Sequence, residues 1–301
     1  MKNKAIVGGV IALVVLVLIV FLCIWLGRKI NDKIQQTPET TTNTTVPPSA
    51  PSQPPATNEQ AAQVFLALGN PSGATASASN KDNYLMVNTA YALSYNNAKG
   101  TPNWVAWRVA ESDFGSADRQ NNFRPDDRLP PGFKRVTPTD YTGSGFDRGH
   151  LCPSADRSSS PDANSLTFLM TNMTPQTPDL NRNVWEHFES YARELVKRDK
   201  LDIYIVAGVY GEKGKLKGKV TVPTNCWKII VGIPQGESIS GISEKARLVA
   251  VDMPNDTGIA TEDWRKFRTT VRSIEQKTGY NFFTNLPQNV RDALEMKMEN
   301  Y

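Results

Sequence analysis

Hydrophobic and polar positions divide the chain into three stretches. Residues 5–26 form a run of 22 residues without a charge, which is long enough to cross a bilayer as a helix. Residues 27–58 are rich in Thr, Pro, Ser and Gln without apolar periodicity, which is typical of a disordered linker. From residue 59 to 301, apolar residues recur with helical and strand periods, and this length suffices for one domain with a substantial core.

The third stretch contains both kinds of regular element. Helical spacing predicts helices over residues 59–68, 181–198, 261–278 and 288–297. Content of β-branched and aromatic residues predicts strands over residues 91–95, 103–109, 203–209, 216–222 and 227–232. Strands outnumber helices and many are spaced like hairpins. We therefore expect an α+β fold with a largely antiparallel central sheet flanked by helices.

The apolar run follows a short flank, residues 1–4. A cleaved signal peptide has a shorter apolar region, about 7–15 residues, and a small-residue cleavage site, which this run lacks. We therefore predict a permanent single-pass transmembrane helix over residues 5–26. Basic residues flank both ends of the run, so the positive-inside rule leaves its orientation open.

The densest candidate chemistry lies in Asp147-Arg-Gly-His150. His150 can accept a proton near neutral pH, because an unperturbed imidazole titrates at about 6.5. Arg148 offers a planar cation matched to phosphate oxygens. On an extended segment these two side chains would face one cleft, since residues i and i+2 share a side. From the tetrapeptide alone, a surface turn with an ion pair is an equal alternative.

A second candidate stretch runs over residues 171–193. Two prolines keep the chain non-helical up to Asp179, which we expect to cap the following helix. On that helix Asn181, Glu189 and Arg193 fall along one flank. A neutral amide and a carboxylate together suit a hard cation that keeps most of its waters, as magnesium does.

These stretches resemble the DNA/RNA non-specific endonuclease family, the sugar-nonspecific nucleases with a ββα-metal (His-Me finger) site, which includes endonuclease G. The family's motifs match Asp147 to His150, residues 172–176, residues 180–189 and an upstream run over residues 119–126. The resemblance extends from about residue 60 to the C-terminus. It implies the same α+β architecture as the periodicity.

The resemblance also implies a mechanism. His150 would be the general base that takes a proton from water. Asn181 would hold one Mg²⁺ directly, with Mn²⁺ or another divalent cation as alternatives. Glu189 would act on the metal through water.

Further site residues follow from the same resemblance. Arg119 would clamp the phosphate, and Arg193 would join it. Arg148 would contact the substrate or support the loop, an alternative that the sequence leaves open. Asn172 would be a supporting hydrogen-bond donor, whereas the second histidine, His187, has no matching role.

The implied function is metal-dependent hydrolysis of phosphodiester bonds in DNA and RNA. Contact with the backbone carries no sequence information, so we expect little sequence preference. Such an activity is harmful in a cytoplasm, which favours an anchored enzyme with its catalytic domain on the extracytoplasmic side. The expected partners are DNA, RNA and, through residues 5–26, the lipid bilayer. The alternative is a membrane-tethered module for nucleic-acid capture or uptake with weak or no catalysis.

Composition changes this picture little. A net charge of +4 and a pI near 8.8 are only mildly basic. The lysines of residues 211–219 are expected either to touch phosphates or to form a solvated hairpin. A Cys152–Cys226 disulfide stays open, since spacing cannot show that the two meet. A zinc site formed by these cysteines with His150 and His187 would lack the usual short-spaced ligand pairs.

Overall fold

The structure is a computed structural model that describes residues 53–298 of the chain. The predicted transmembrane helix over residues 5–26 lies outside the described residues, as does most of the predicted linker. Both therefore stay predictions. Among residues 53–298, no helix has the length and apolar character needed to cross a membrane.

Residues 53–298 form five α-helices and eleven strands. The α-helices are α1 Asn58–Phe65, α2 Pro161–Leu166, α3 Trp185–Lys197, α4 Val271–Thr278 and α5 Gln288–Met296. A π-helical turn, Leu180–Val184, leads directly into α3. The strands are β1 Tyr84–Val87, β2 Ala92–Asn96, β3 Thr101–Val109, β4 Asp147–His150, β5 Met173–Gln176, β6 Leu201–Tyr210, β7 Lys215–Leu216, β8 Val220–Thr221, β9 Asn225–Pro234, β10 Arg247–Pro254 and β11 Arg268–Thr269. Short 3-10 turns lie at Lys81–Asn83, Glu111–Asp113, Pro138–Asp140, Ser154–Arg157, Met170–Asn172, Ile239–Gly241 and Trp264–Phe267.

Seven strands form one antiparallel sheet in the order β1-β2-β3-β6-β9-β10-β11. The predicted α+β fold with a largely antiparallel sheet is thus confirmed. β4 and β5 pair with each other in a separate two-stranded ribbon, and β7 and β8 form a second small hairpin. The long strands β3, β6 and β9 lie in the middle of the sheet, where apolar layers cover both faces.

The two faces of the sheet have different neighbours because successive side chains of a strand point to opposite sides. The face that we call the α3 face packs Trp107, Ile205 and Ile230 with the buried side of helix α3. The opposite face, called the α4–α5 face, packs Trp104, Trp227 and other apolar side chains with α4 and α5. The helices bury apolar residues at the helical period, and this explains why the sequence pattern located α3 and α5.

The predicted helix over residues 261–278 is wrong in its first half. This part contains the 3-10 turn Trp264–Phe267 and strand β11, and the α-helix begins only at Val271. The indole of Trp264 packs on the rings of Phe188 and Tyr191, with centroids 4.8 and 4.7 Å apart. Packing on α3 therefore overrides the local helical pattern.

The single strand predicted over residues 216–222 is also wrong. The segment turns back on itself between β7 and β8, with positive φ at Lys217 and Gly218. Strands β1 and β10 and helix α2 were not predicted. β10 pairs with β9 along its whole length and carries the buried apolar run Leu248 to Val251.

Candidate active site

The β4–β5 ribbon carries His150 at its end. Gly149 faces Thr174 across the ribbon, and the Gln176 side chain occupies the space where a Cβ would lie. A Cβ on Gly149 would come within 2.0 Å of the Gln176 Oε1 atom. Only glycine therefore allows this close approach, which fixes the backbone immediately before His150.

Two phenylalanine rings enclose the imidazole of His150. The centroids of Phe123 and Phe168 lie 5.5 and 5.0 Å from that of the imidazole, both in edge-to-face geometry. His150 is buried, and its Nε2 atom has no hydrogen-bond partner in the described part of the chain. Burial, followed by the charges of Arg119 and Arg148, lowers the pKa of His150 to about 3. The imidazole is consequently neutral and able to accept a proton.

Two guanidinium groups stack on the rings of the same phenylalanines. The Arg148 guanidinium carbon lies 4.2 Å from the Phe123 ring centroid, and that of Arg119 lies 4.8 Å from the Phe168 centroid. Both arginines are exposed. Ring stacking leaves the N–H edges of Arg148 available for phosphate oxygens. Arg119 already donates through Nε to Asn121 Oδ1 at 2.9 Å and through Nη1 to Ser154 Oγ. Arg148 and His150 both contact Phe123, so the structure brings them together as their spacing predicted.

Asn172 braces the chain just beyond His150. Its Oδ1 atom accepts from the Cys152 backbone N–H at 3.0 Å, and its Nδ2 atom donates to the carbonyls of Cys152 and Thr167, each at 2.8 Å. The side chain is fully buried. Asn172 therefore ties the two arms of the ribbon together and is placed to support His150 and not to contact a ligand.

The π-helical turn positions Asn181. The Trp185 N–H donates to the Leu180 carbonyl, five residues earlier, which inserts one extra residue into the helical turn. An extra residue rotates the preceding side chains by about 100° relative to those of α3. Simple helical spacing from Asn181 to Glu189 therefore does not hold across this turn.

Asp179 is not the N-cap that the sequence predicts. Its own backbone is helical, with φ −63° and ψ −42°, and it makes no side-chain cap. Its carboxylate instead accepts from the Gly258 N–H at 2.6 Å. The N–H groups of Leu180 and Asn181 are satisfied by Thr177, through its hydroxyl and its carbonyl.

Asp147 orients the amide of Asn181. The Nδ2 atom of Asn181 donates to Asp147 Oδ2 at 3.0 Å, while Arg182 donates to both carboxylate oxygens at 2.8 and 2.7 Å. Partial burial raises the pKa of Asp147, but the hydrogen bonds from Arg182 and Asn181 outweigh it and hold that pKa below its ordinary value. Asp147 is thus an anion that fixes which end of the amide is the nitrogen.

The remaining end of the Asn181 amide fits a hard cation. With Nδ2 bound to Asp147, the half-buried side chain presents Oδ1, which receives no hydrogen bond in the described part of the chain. Among residues 53–298, no group of three or more His, Cys, Asp or Glu side chains could hold a metal. A single amide oxygen with water in the other positions suits Mg²⁺ and not zinc. Cys152 and Cys226 are both buried free thiols.

Glu189 and Arg193 have other partners than Asn181. Glu189 Oε1 accepts from the Nζ atom of Lys228 at 2.9 Å, and Arg193 Nη1 lies 3.4 Å from Asp156 Oδ1. Burial raises the pKa of the Glu189 carboxyl, and the Lys228 ammonium opposes that rise. Burial lowers the pKa of Arg119, and the charge of the Glu189 carboxylate opposes that fall, so Glu189 lies within electrostatic reach of Arg119.

Sequence reasoning missed four residues of this site: Phe123, Phe168, Asp156 and Lys228. Phe123 lies inside the upstream motif over residues 119–126, but the motif does not indicate that its ring contacts His150. Lys228 had a visible signal, since it is a lone charge inside the apolar run of a predicted strand.

The lysine side chains of the β7–β8 hairpin and its flanks contact other groups of the protein. Lys217 donates to the Thr139 carbonyl at 2.6 Å, and Lys219 donates to Asp140 Oδ2 at 2.7 Å. Lys213 bonds to Asp256 at 2.7 Å and Lys215 lies 3.7 Å from Glu212. These contacts favour a hairpin docked on the protein over a phosphate-binding patch.

Comparisons with known proteins agree with this geometry. The sequence profile of the family described as DNA/RNA non-specific endonuclease matches residues 68–289. A nuclease of Nostoc sp. is 52% identical over 250 residues, which are 82% of this chain and 90% of the relative. The human mitochondrial nuclease EXOG is 32% identical over 213 residues, which are 66% of this chain but only 56% of the relative.

A solved structure shares the fold as well. It is the crystal structure of a complex between EndoG and EndoGI, which matches with a TM-score of 0.62 and 26% identity. The match covers 75% of this chain and 92% of the other. The motifs, the enclosed histidine and these matches lead to one conclusion: the chain belongs to the DNA/RNA non-specific endonuclease family.

Proposed function

We propose that this protein is a metal-dependent, sequence-nonspecific endonuclease that hydrolyses phosphodiester bonds of DNA and RNA. The observation that carries the proposal is the enclosed, neutral imidazole of His150 between two exposed guanidinium groups. This arrangement offers a proton acceptor next to a binding place for a phosphate. Membership of a family whose relatives are named nucleases supports it.

His150 acts as the general base. In the free protein, burial and two neighbouring cations oppose protonation of the imidazole. A phosphate held by Arg119 and Arg148 neutralises those cations, so the affinity of His150 for a proton rises when substrate binds. The imidazole then takes the proton of the attacking water. Enclosure by Phe123 and Phe168 keeps the ring in one orientation for this transfer.

The arginines neutralise the phosphate. Arg119 and Arg148 contact it directly, and as backbone contacts they give no preference for a base sequence. Arg193 is paired with Asp156 and Glu186, so it supports the site through these two carboxylates. Mg²⁺, or Mn²⁺ in its place, would be held by Asn181 Oδ1, with Glu189 acting through water. When bound, the metal supplies charge neutralisation for the transition state and the departing 3′ oxygen.

The test uses purified full-length protein, supercoiled plasmid and total RNA, with Mg²⁺ or with chelator. We expect both substrates to be cut in Mg²⁺ only, and His150→Ala to lower the rate by about 10²–10⁴-fold. His187→Ala is the matched control, because His187 is an exposed histidine on α3 and should cut within about two-fold of the wild type.

The alternative is a capture module that binds nucleic acid with weak or no catalysis. It would be favoured if the folded wild type retained plasmid without cutting it. Cutting that is indifferent to His150→Ala would also remove the proposed mechanism.

Location and partners are proposed on separate grounds. The uncharged run over residues 5–26 supports a single-pass anchor. The harm that such a nuclease would do in a cytoplasm supports a catalytic domain on the extracytoplasmic side. Protease added to intact cells should remove the nuclease domain; its protection would reverse the orientation. Likeness to EndoG in complex with EndoGI supports a protein inhibitor as a further partner. Undiminished cutting at saturating EndoGI would count against that inhibitor for this chain.

A further inference from the structure

Lys228 is a buried cation in the middle of a central strand. β9 lies between β6 and β10, and the Lys228 side chain is only 1% exposed. Its neighbours along the strand, from Cys226 to Ile233, are all buried as well. A desolvated ammonium is unfavourable unless a close partner compensates it. A cation at this position therefore calls for an explanation other than solubility or surface charge.

Three groups hold the ammonium in place. Nζ donates to Glu189 Oε1 at 2.9 Å and lies 4.2 Å from the ring centroid of Trp185 and 5.5 Å from that of Trp107. Trp185 precedes Glu189 by four residues on α3, so the lysine lies beneath a single turn of that helix. The two indoles leave the ammonium little freedom to turn away from the carboxylate.

The Trp107 indole fixes a second charged group beside this pair. Its Nε1 atom donates to Asp156 Oδ2 at 2.9 Å, and Asp156 is itself paired with Arg193. The Asp156 carboxylate is therefore already occupied by two donors. In the described part of the chain, Glu189 is the one hydrogen-bond acceptor of Lys228.

Only one oxygen of Glu189 is used by the protein. In the described part of the chain the carboxylate accepts through Oε1 alone, and Oε2 is not among the enclosed atoms that lack a partner. The Glu189 side chain is 11% exposed, against 1% for Lys228. The carboxylate thus reaches from the sealed interior, where Lys228 holds Oε1, to the accessible side, where Oε2 is available to a ligand.

We infer that Lys228 is a positioning residue for the reaction, which fixes the Glu189 carboxylate so that Oε2 faces the cation-binding side of the site. Lys228 touches neither substrate nor metal and acts only through Glu189. The inference rests on the proposed function, in which Glu189 orients water around a cation held at Asn181.

The test is a double-mutant cycle in the full-length protein with Lys228→Met, Glu189→Gln and both changes together. Methionine keeps the length of the side chain and removes its charge. The matched control cycle uses Lys266→Met and Glu262→Gln, an exposed pair on the surface with a similar distance of 2.8 Å. The two quantities compared are kcat on plasmid, recorded together with KM, and the affinity for Mn²⁺ by electron paramagnetic resonance, which needs no turnover.

We expect Lys228→Met to lower kcat about 10–100-fold with little change in KM, and to weaken Mn²⁺ binding by about the same factor. The double variant should match Glu189→Gln in both quantities, because Lys228 has nothing further to position once the carboxylate is gone. The control cycle should leave both quantities at wild-type values.

Two results would overturn the inference. One is a Lys228→Met variant with wild-type kcat and Mn²⁺ affinity. The other is a double variant in which the two losses multiply, as independent effects do. Circular dichroism monitors folding, since Lys228→Met alone leaves a buried carboxylate unpaired. The double variant has neither charge, so its comparison with Glu189→Gln decides the matter if the single variant does not fold.

Failure of the proposed function gives a different pattern. If the wild type does not cut, or His150→Ala cuts as fast as the wild type, the nuclease mechanism fails. The Mn²⁺ measurement still tests Lys228 in that case. A wild-type chain that binds no Mn²⁺ overturns the positioning role together with the metal.

Discussion

Trp227 and Lys228 are consecutive residues of β9 with opposite environments. Trp227 points to the α4–α5 face, where its ring packs edge-to-face on Phe282 with centroids 5.4 Å apart. Lys228 points to the α3 face and bonds to Glu189. Two consecutive positions of one strand thus place an aromatic ring on one side of the sheet and a buried ion pair on the other.

Charges near the α4–α5 face also lie in ion pairs, as Asp252 of β10 does with Lys277 of α4 at 2.6 Å. Glu275 and Glu295 are buried between α4 and α5, where Arg272 and Arg291 pair with them. Buried ion pairs seldom add net stability, because desolvation offsets their attraction. The difference between Trp227 and Lys228 therefore separates two tasks. The α4–α5 face stabilises the sheet, whereas the α3 face keeps charge that the proposed chemistry needs.

The largest expected effect on stability comes from Trp227→Ala. Removing a fully buried indole leaves a cavity and should lower the free energy of unfolding by about 3–5 kcal/mol, as measured in urea. The kcat of the folded fraction should not change, because Trp227 faces away from the site. Met296→Ala is the control, since Met296 is 62% exposed. A lower kcat in the fully folded variant would show that the two faces are not functionally separate.

The pH dependence of the free energy of unfolding should show whether the folded chain holds His150 neutral. The pKa of His150 is about 3 in the folded chain against an ordinary value of 6.5, so the unfolded chain binds the extra proton between these values. Stability is therefore fully present above pH 6.5 and falls as the pH drops toward 3, by about 1.4 kcal/mol per pH unit. Urea unfolding from pH 7 to 5 should show this slope in the wild type and a flatter one in His150→Gln. Equal slopes would mean that the imidazole is not held neutral.

Gly149→Ala tests how tightly the ribbon positions His150. A Cβ would meet the buried Gln176 side chain, so we expect a loss of about 1–3 kcal/mol together with reduced cutting. Gly241→Ala is the control, because nothing lies within 4 Å of its Cβ position. A variant with wild-type stability and activity would show that Gln176 moves aside without cost.

The smallest expected effect concerns two exposed cations, Arg148 in the site and Lys217 away from it. Arg148→Ala should reduce the slope of log affinity against log salt by about 0.9, the contribution of one phosphate contact. Lys217→Ala should leave that slope unchanged, because Lys217 is already bound to Thr139. Binding of catalytically inactive His150→Ala protein to DNA at several salt concentrations measures both. A reduced slope for Lys217→Ala would assign the hairpin to the nucleic-acid interface.

Much of the fold could be predicted because its signals are local. Apolar residues at the helical period located α3 and α5, and β-branched or aromatic runs located β2, β3, β6 and β9. The helix over residues 261–278 failed where Trp264 packs on α3, a contact that no local window contains. β10 was missed although its apolar run from Leu248 to Val251 is itself a local signal.

By itself, the sequence determined the motif residues: His150, Arg148, Asn181 and Glu189, with the family that they indicate. Side-chain chemistry and short spacing are properties of the chain, so they survive without a structure. Only the tertiary structure decided that Phe123 and Phe168 enclose His150 and that the π-helical turn rotates Asn181. It alone paired Lys228 with Glu189, 39 residues away. Such contacts depend on how the sheet packs against α3, and burial, which sets the pKa of His150, exists only once that packing forms.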